Sequence, residues 1–419
     1  MAQIVRAGGT MTPGNKTAGV PRSTMAVLML SVFTVSIGYG VVLPLLPYLI
    51  ERLLGATGDA GQVSRSTGFL TGLYMLALFL FAPVWGWLSD RYGRRSVLLI
   101  GLLGFSATML TFAFIETLTA VYIERFLSGT FAAAVTPVAL AVVGDLAATD
   151  EERARRLTFV SLAGISGFLL GPMLGVFIAR SAAESLAVPL AATAALALAV
   201  AGLTLPGIRP GRAAAVDDQV SSARATWLVI KLLALAFIVS AGVGVFEVGL
   251  ALRGKQELGF TQYQIAAMFT ECSFVMLVVQ AIVFSPWIKP EKTRWFIAPA
   301  LGLLAAGLFL VPRVSDFVLM LIVTGAVAAS AGILSPILTY WISTKAGKAQ
   351  GTALGKQTAA ASLGAAVGSA AGGLLFNVAG LPGASFLLIT ALTTFGFLFS
   401  LGLPRLLVPY APRCRVVSA

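Results

Sequence analysis

Gly86-Trp87-Leu88-Ser89-Asp90-Arg91-Tyr92-Gly93-Arg94-Arg95 is a tight cluster of charged residues between two long apolar runs. A short hairpin between two membrane helices needs glycine where backbones pass closely, here at Gly86 and Gly93. It also needs a carboxylate near a helix end, and arginines that stay on one side of the bilayer. The stretch therefore predicts a cytoplasmic loop between two membrane-spanning helices.

The composition of the whole chain also points to a membrane protein. Of its 419 residues, 58% are hydrophobic and 11% are charged, and the mean hydropathy is +0.92. A soluble domain carries about 25% charged residues, so the excess apolar surface must face lipid. A spanning helix takes roughly 20 apolar residues. We therefore predict an all-α membrane protein with twelve spans, numbered here in chain order: 25–50, 67–88, 96–115, 118–146, 157–179, 186–206, 228–252, 262–288, 295–312, 316–343, 351–378 and 383–404.

The basic residues predict the orientation of the chain in the membrane. The net charge is +12, but most of the 29 Lys and Arg residues fall in the tails, the even-numbered connections or the adjacent helix ends. Arg125 lies inside a span, and six others fall at the opposite ends: Arg52, Arg65, Arg180, Arg253, Lys255 and Arg313. This asymmetry follows the positive-inside rule with both termini cytoplasmic. The basicity is therefore an orientation signal, and we expect no nucleic-acid partner.

The chain divides into two halves of six spans. We assign 1–24 and 405–419 to cytoplasmic tails, 25–206 and 228–404 to the halves, and 207–227 to a polar linker. The first apolar run is too long for a signal peptide and is read as an uncleaved helix. Gly38 and Gly40 of span 1 recur as Gly242 and Gly244 of span 7, which indicates a duplication. Two equivalent halves around a midplane site describe an alternating-access transporter, although such glycines also serve close packing.

Spans 4 and 5 carry residues that are unusual within a membrane. Arg125 lies inside span 4, where a charged residue costs about 2.5–3.5 kcal/mol, so a partner or a cavity is expected. Asp145 lies near the cytoplasmic end of the same span. Span 5 contains Pro172, which kinks a helix, among glycines that thin its packing face: Gly164, Gly167, Gly171 and Gly175. We expect these glycines to form a tight seam against the other half.

Two carboxylates inside the second half are candidates for proton coupling. Glu247 lies about four residues inside the outer end of span 7, and Glu271 about ten residues into span 8. These positions correspond to depths of roughly 6 and 15 Å, so Glu271 is the better placed at the midplane. Intramembrane carboxylates are functional by default, although either residue could instead be a neutral acid hydrogen-bonded between helices. The chain contains no histidine, so proton chemistry must use carboxylates.

A further group of residues is predicted to line an amphipathic cavity: Phe33, Tyr39, Tyr74, Phe246, Phe274 and Gln357. Each aromatic residue alone is also typical of ordinary packing. Cys272 and Cys414 are too far apart in the sequence to suggest a disulfide framework. The sequence contains no catalytic Ser/His pattern, phosphate-binding loop or metal-ligand cluster. We expect neither enzymatic activity nor a cofactor or metal.

Three of these motifs resemble signatures of the major facilitator superfamily of secondary transporters. The loop matches G-x-x-x-D-R-x-G-R-[RK] in full, and Arg125 with Gly129 matches the span 4 signature R-x-x-x-G. Span 5 is similar to the antiporter signature G-x-x-x-G-P-x-x-G-G, with Val176 replacing its last glycine. Taken together, the N-terminal half looks most like the twelve-helix drug:proton antiporters, including tetracycline-type exporters.

The resemblance implies roles for individual residues. It implies proton coupling at Arg125. It also implies a cytoplasmic gate that includes Asp90 and in which Asp145 pairs with one of the loop arginines Arg91, Arg94 and Arg95. A pair at Asp145 is also typical of an ordinary salt bridge at a helix end. Because the span 5 signature tracks export in this superfamily, Gly167, Gly171, Pro172 and Gly175 favour efflux. Those exporters often carry an aspartate in span 1, where this chain has Thr34-Val35-Ser36. The coupling site must then differ, and Glu271 or Glu247 can replace that aspartate.

The sequence therefore predicts a monomeric, multi-pass transporter of a bacterial inner membrane that exports a small amphipathic or cationic compound in exchange for protons. The first alternative is a transporter of a specific metabolite, such as a siderophore, sugar or amino acid, which includes an importer. A membrane sensor built on the same fold, without transport activity, is the second. The expected partners are the small-molecule substrate, protons and the lipid bilayer.

Overall fold

The computed structural model describes residues 21–55, 59–146, 150–181, 187–208, 223–283, 288, 290–345, 350–378, 380–381 and 383–407, and these form helices without a strand. In the first half the helices are Arg22–Val42, Leu43–Leu45 (3-10) and Leu46–Leu54 in span 1, Ala60–Tyr92 in span 2, Arg94–Phe112 in span 3, Leu118–Ala132 and Val135–Leu146 in span 4, Asp150–Ser181 in span 5, and Ala187–Gly207 in span 6. In the second half they are Ala223–Gln256 in span 7, Gln262–Val283 in span 8, Pro290–Phe296 (3-10), Ile297–Leu310 and Val311–Arg313 (3-10) in span 9, Phe317–Lys345 in span 10, Gln350–Leu374 in span 11, and Ala384–Ser400 in span 12, followed by Leu403–Leu406.

Each predicted span has a helical counterpart. Among the described residues, ten helical segments are long and apolar enough to cross a membrane. Span 12 is a shorter apolar helix, and span 11 is 25 residues long but is not among the ten. The assigned tails and linker fall mainly on 1–20, 209–222 and 408–419, which lie outside the described residues, as does Cys414.

Helix ends differ from the predicted ends where polar turns extend a helix beyond its apolar part. Span 2 begins seven residues before the predicted 67 because the Asp59 side chain accepts a hydrogen bond from the Gln62 backbone N–H. Span 7 continues to Gln256, four residues beyond the prediction. Hydropathy therefore located the part of each helix that is apolar but not the polar turns beyond it.

The two halves have equivalent internal packing. Each has its own hydrophobic core, and span 1 packs along span 5 as span 7 packs along span 11. A β-carbon added at Gly40 would meet the backbone of span 5, 3.1 Å from the Phe168 carbonyl oxygen. One added at Gly244 would meet span 11, 2.6 Å from the Ala365 carbonyl oxygen. The recurrent glycines therefore occupy corresponding positions, as a duplication predicts.

Spans 2 and 11 meet across the interface between the halves. A β-carbon added at Gly68 would lie 2.6 Å from the Cα of Gly373, so only glycine allows this approach. At the other end of the same two helices, β-carbons added at Gly86 and Gly355 would meet no atom within 4 Å. Spans 2 and 11 therefore touch through glycine at one end, and their glycines at the other end have room around them.

Hydrogen bonds reinforce the closed end of this interface. The Lys255 ammonium donates to the Pro47 carbonyl oxygen at 3.0 Å and pairs with Glu51. Tyr48 donates through its hydroxyl to the Phe260 carbonyl oxygen at 2.7 Å. The Asn377 amide donates to the Ala60 carbonyl oxygen at 2.9 Å and to Ser64 Oγ at 3.1 Å. We call this set of residues the latch: Pro47, Tyr48, Glu51, Ala60, Ser64, Lys255, Phe260 and Asn377.

Candidate functional site

The charged centre of the first half is a buried ion pair on span 4. Arg125 Nε lies 2.6 Å from Glu124 Oε2, and Arg125 Nη2 lies 2.9 Å from Glu124 Oε1. Both side chains are 3% exposed. The guanidinium also lies over two rings, 4.5 Å from the centroid of Phe112 and 5.8 Å from that of Tyr74. The expected partner of Arg125 is therefore its own neighbour in sequence, Glu124.

An aromatic cluster leads from this pair to the other half. The rings of Tyr74 and Tyr39 are stacked with centroids 5.2 Å apart, and Tyr39 also stacks on Phe168 at 5.7 Å. Phe168 in turn meets Phe269 of span 8 edge-to-face at 6.5 Å. A small cavity borders the cluster, lined by Tyr39, Val42, Leu43, Leu46, Leu70, Thr71, Tyr74 and Arg125. Spans 1, 2, 4, 5 and 8 thus contribute to one aromatic site.

A hydrogen bond joins the two halves at this site. The Tyr39 hydroxyl donates to Glu247 Oε2 at 2.6 Å, although the two residues are 208 positions apart in sequence. Because span 7 continues to Gln256, Glu247 lies nine residues before the helix end. The added residues 253–256 are polar, so they lengthen the helix without changing the depth expected for Glu247 in its apolar part. Both Glu247 and Tyr39 are half-buried.

Glu271 lies apart from the ion pair, at the contact between spans 8 and 10. Thr324 Oγ1 is 3.3 Å from Glu271 Oε2. A β-carbon added at Gly325 would lie only 2.6 Å from Glu271 Oε1, so glycine is what allows the carboxylate to lie against span 10. Glu271 is half-buried, and its neighbour Cys272 is buried with Sγ 3.8 Å from the Thr324 carbonyl oxygen.

The remaining predicted cavity residues are only partly brought together. Phe33 is half-buried and Phe246 is buried, each packed with the core of its own half. Phe274 is 57% exposed and shares a stripe with Val278 and Ile282, a spacing typical of a helix face turned to lipid. Gln357 donates to Thr339 Oγ1 at 2.6 Å near the start of span 11. Of the six predicted residues, only Tyr39 and Tyr74 lie in the aromatic cluster.

The charged loop is organised around Arg94. Its guanidinium pairs with Asp90 at 2.7 Å and with Asp145 at 3.0 Å, and it donates to Ser89 Oγ at 2.5 Å. Arg91 is exposed and lies over the rings of Trp87 and Tyr92, at 5.7 and 5.9 Å. Arg95 is half-buried. Of the three arginines that the resemblance offered to Asp145, the structure pairs it with Arg94.

The two glycines of the loop differ. Gly93 has a φ of +93° between two helices, a conformation that favours glycine. Gly86 lies inside the span 2 helix, where an added β-carbon would meet no atom within 4 Å. The expected close backbone passage at Gly86 is therefore wrong for this conformation, because the helix face it occupies is open.

The glycines of span 5 pack within their own half. A β-carbon added at Gly171 would lie 2.8 Å from Cα of Gly40 and from the Ile37 carbonyl oxygen, and one at Gly167 would clash with the Phe33 carbonyl oxygen. The expected seam against the other half is therefore wrong: these glycines face span 1. Pro172 lies inside the helix beside Gly40, and Gly175 is in the next turn. Phe168, between Gly167 and Gly171, contacts Phe269 of the other half.

Sequence reasoning missed Glu124 and the latch. For Glu124 a signal existed, since an opposite charge adjoins Arg125 inside an apolar run. For Lys255 and Asn377 the sequence offers no signal, because their partners are about 200 and 300 residues away in the chain.

The sequence of this chain is similar to those of known proteins. The family model described as Major Facilitator Superfamily matches residues 28–349. Multidrug resistance protein 1 of Bacillus subtilis (strain 168) is 28% identical over 366 residues, which cover 85% of this chain and 90% of that protein. Quinolone resistance protein NorA of Staphylococcus aureus (strain COL) is 24% identical over 359 residues, covering 84% and 89%.

Solved structures share the fold. The crystal structure of the human organic anion transporter MFSD10 (TETRAN) superposes with a TM-score of 0.71 at 21% identity, covering 90% of this chain and 99% of that one. The crystal structure of a D-xylose-proton symporter gives a TM-score of 0.75 at 17% identity, covering 90% and 97%.

Proposed function

The chain belongs to the major facilitator superfamily, and we propose that this multi-pass membrane protein is a proton-coupled antiporter that exports a small amphipathic or cationic compound by alternating access. Export is favoured by the span 5 signature and by similarity to a multidrug resistance protein and a quinolone resistance protein over most of the chain. As a member of this superfamily it is a transporter and not an enzyme.

The observation that carries this proposal is the hydrogen bond between Tyr39 and Glu247. It joins a carboxylate of one half to the aromatic cluster of the other, at the interface that has to open and close in alternating access. A protonated Glu247 can remain in this apolar site, whereas its ionised form needs a counter-charge. A lipophilic cation would supply that charge and stack on Tyr39 and Tyr74. Proton and substrate would therefore exclude each other at Glu247.

Glu271 is the second proposed coupling carboxylate. It lies in the same half as Glu247, but its contact with Thr324 is internal to that half. A proton on Glu271 would therefore act on the packing of span 8 against span 10 and not directly on the interface. Although the sequence favours Glu271, this difference supports Glu247 as the first coupling candidate in our proposal.

The proposed orientation has both termini in the cytoplasm of a bacterial cell and the latch on the outer side. The distribution of Lys and Arg supports it, because the basic loop of spans 2 and 3 lies at the end opposite to the latch. A closed latch together with free space around Gly86 and Gly355 then corresponds to an inward-facing conformation.

We expect the Asp90→Asn variant to transport substrate much more slowly while inserting normally. Asp90 is 58% exposed, so its ion pair with Arg94 contributes little to stability. Its removal leaves Arg94 with a single ion pair, to Asp145, beside its hydrogen bond to Ser89, and it changes the net charge of the loop at the cytoplasmic end. Transport would be measured at equal expression, with Glu291→Gln, an exposed carboxylate at the same end, as control. Unchanged transport in Asp90→Asn would remove Asp90 from the gate.

We expect Lys255→Met to open the latch. Lys255 is 11% exposed and combines a backbone hydrogen bond, an ion pair with Glu51 and a contact 4.4 Å above the Tyr48 ring. Losing these contacts should shift the conformational equilibrium toward the outward-open state by about tenfold. This shift corresponds to a loss of about 1.4 kcal/mol of free energy in the closed state.

The measurement is labelling of a single cysteine at Ser64 from the external side. Arg313→Met is the matched control, because Arg313 contacts Phe309 of its own span rather than the other half. Equal labelling rates in Lys255→Met and in wild type would show that the latch does not hold the closed end.

The proposal is tested by a substrate screen in proteoliposomes with an imposed pH gradient. Antiport requires that a compound accumulate on the acidic side and that its movement dissipate the gradient. Substrate flux that is independent of the pH gradient, or substrate movement in the same direction as the protons, would overturn the antiport proposal.

A further inference from the structure

Glu124 is a buried carboxylate for which the coupling scheme has no role so far. It forms a bidentate ion pair with Arg125, and both side chains are 3% exposed. Adjacent residues on a helix point about 100° apart, since a turn takes 3.6 residues. Both side chains therefore have to bend sideways to meet, and this directs the guanidinium along the helix surface between Phe112 and Tyr74.

The ion pair is not explained by stability alone. Replacing a buried pair with apolar residues is often neutral or stabilising, whereas removing one partner leaves an unpaired buried charge. An arginine and a glutamate side by side in an apolar span therefore point to a use for the arginine that requires its charge to be compensated.

The pair lies at one end of a path that leads to Glu247. Arg125 contacts the Tyr74 ring, Tyr74 stacks on Tyr39, and Tyr39 donates to Glu247. The described titratable or charged groups along it are Tyr39 of span 1, Tyr74 of span 2, Glu124 and Arg125 of span 4, Glu247 of span 7, and Glu271 and Cys272 of span 8. Arg125 is the cation among them, and Glu124 cancels its charge.

We propose that Glu124 is a positioning residue for transport: it holds the Arg125 guanidinium between Phe112 and Tyr74 and neutralises it, so that Glu247 exchanges its proton with no net positive charge nearby. This inference rests on the proposed function. Without Glu124, the charge of Arg125 would act on Glu247 through the aromatic cluster and favour its ionised form.

The test compares Glu124→Gln with wild type in ethidium efflux from proteoliposomes and in ethidium binding to the purified protein, both measured across pH. Ethidium serves as the probe because it is an aromatic cation. We expect the midpoint of both pH curves to move to lower pH, because an uncompensated positive charge favours the ionised form of a carboxylate. The double variant Glu124→Gln/Arg125→Gln removes both charges, and its binding midpoint is expected to return to the wild-type value.

Glu124→Asp separates charge from position. It keeps the negative charge on a shorter side chain, so we expect the wild-type midpoint with a lower maximal rate. It also decides the matter if Glu124→Gln does not fold, because an Asp variant with wild-type rates at every pH would overturn the positioning role. A folded Glu124→Gln with the wild-type midpoint would likewise overturn it.

The outcome for the wild type separates this inference from the proposed function. If wild-type protein moves no probe cation in response to a pH gradient, the antiport proposal fails. If wild-type flux titrates and the Glu124→Gln curve coincides with it, only the role of Glu124 fails.

Discussion

Glu247→Gln is expected to lose all pH-driven transport, with efflux falling to the level of empty liposomes. Glutamine has nearly the shape of protonated glutamate, so Tyr39 can still donate to its amide oxygen. The variant can neither release a proton nor bind a cation by charge, and a cationic probe should lose affinity. Wild-type flux should titrate with pH, and the flux of the variant should be flat.

Two further glutamate-to-glutamine variants complete this experiment. Glu116→Gln alters an exposed carboxylate between spans 3 and 4 and is expected to behave as wild type. Glu271→Gln tests the second coupling candidate, whose contact with Thr324 lies within the second half. If Glu247→Gln retains wild-type flux and Glu271→Gln loses it, the proton is carried on span 8, and the Tyr39 contact is structural.

Gly171→Leu is expected to abolish transport by separating spans 1 and 5. Even a single added carbon at Gly171 would lie 2.8 Å from the backbone of Gly40, and backbone atoms cannot move aside as a flexible side chain can. The strain should displace Tyr39, the neighbour of Gly40, and with it the hydrogen bond to Glu247. Overpacking of this kind typically costs about 1–3 kcal/mol.

The measurement combines transport with the labelling of single cysteines at Gly86 and at Gln256, which report on the two ends of the interface. Gly202→Leu is the matched control, because a side chain at Gly202 would meet no atom within 4 Å. We expect one of the two cysteines in Gly171→Leu to label at a changed rate. A two-sided labelling pattern like that of wild type would mean that the contact between spans 1 and 5 does not position the interface.

The apolar helices were predictable because apolar length is a local property of the sequence. The ends of spans 2 and 7 were not, because a cap at Asp59 and a polar turn up to Gln256 extend the helices beyond their apolar parts. The error at Gly171 has a different cause. Glycine spacing shows that a helix face is thin, but only the rotation of that helix decides which neighbour fills the space.

The candidate site was predictable in its residue types and only partly in its pairings. Arg125 and Glu247 follow from the rule that ionisable residues inside a membrane usually have a function. Tyr39 and Tyr74 were expected only as aromatic residues that could line a cavity. The bond from Tyr39 to Glu247 depends on how two separately packed halves meet, and no spacing in the sequence encodes that. Phe274 illustrates the limit for aromatic residues, since the same residue type suits a cavity and a lipid-facing stripe.

The glycines of spans 2 and 11 bear on the speed of the conformational change. The contact between Gly68 and Gly373 is made by backbone atoms. When the two helices separate, no side chain gains rotamer freedom there that would be lost again when the interface closes. Gly86 and Gly355 offer equally bare surfaces at the far end of the same helices. We expect the dispersion energy lost at one end to be regained at the other, which would leave the two access states close in free energy and the passage between them without a large entropic barrier.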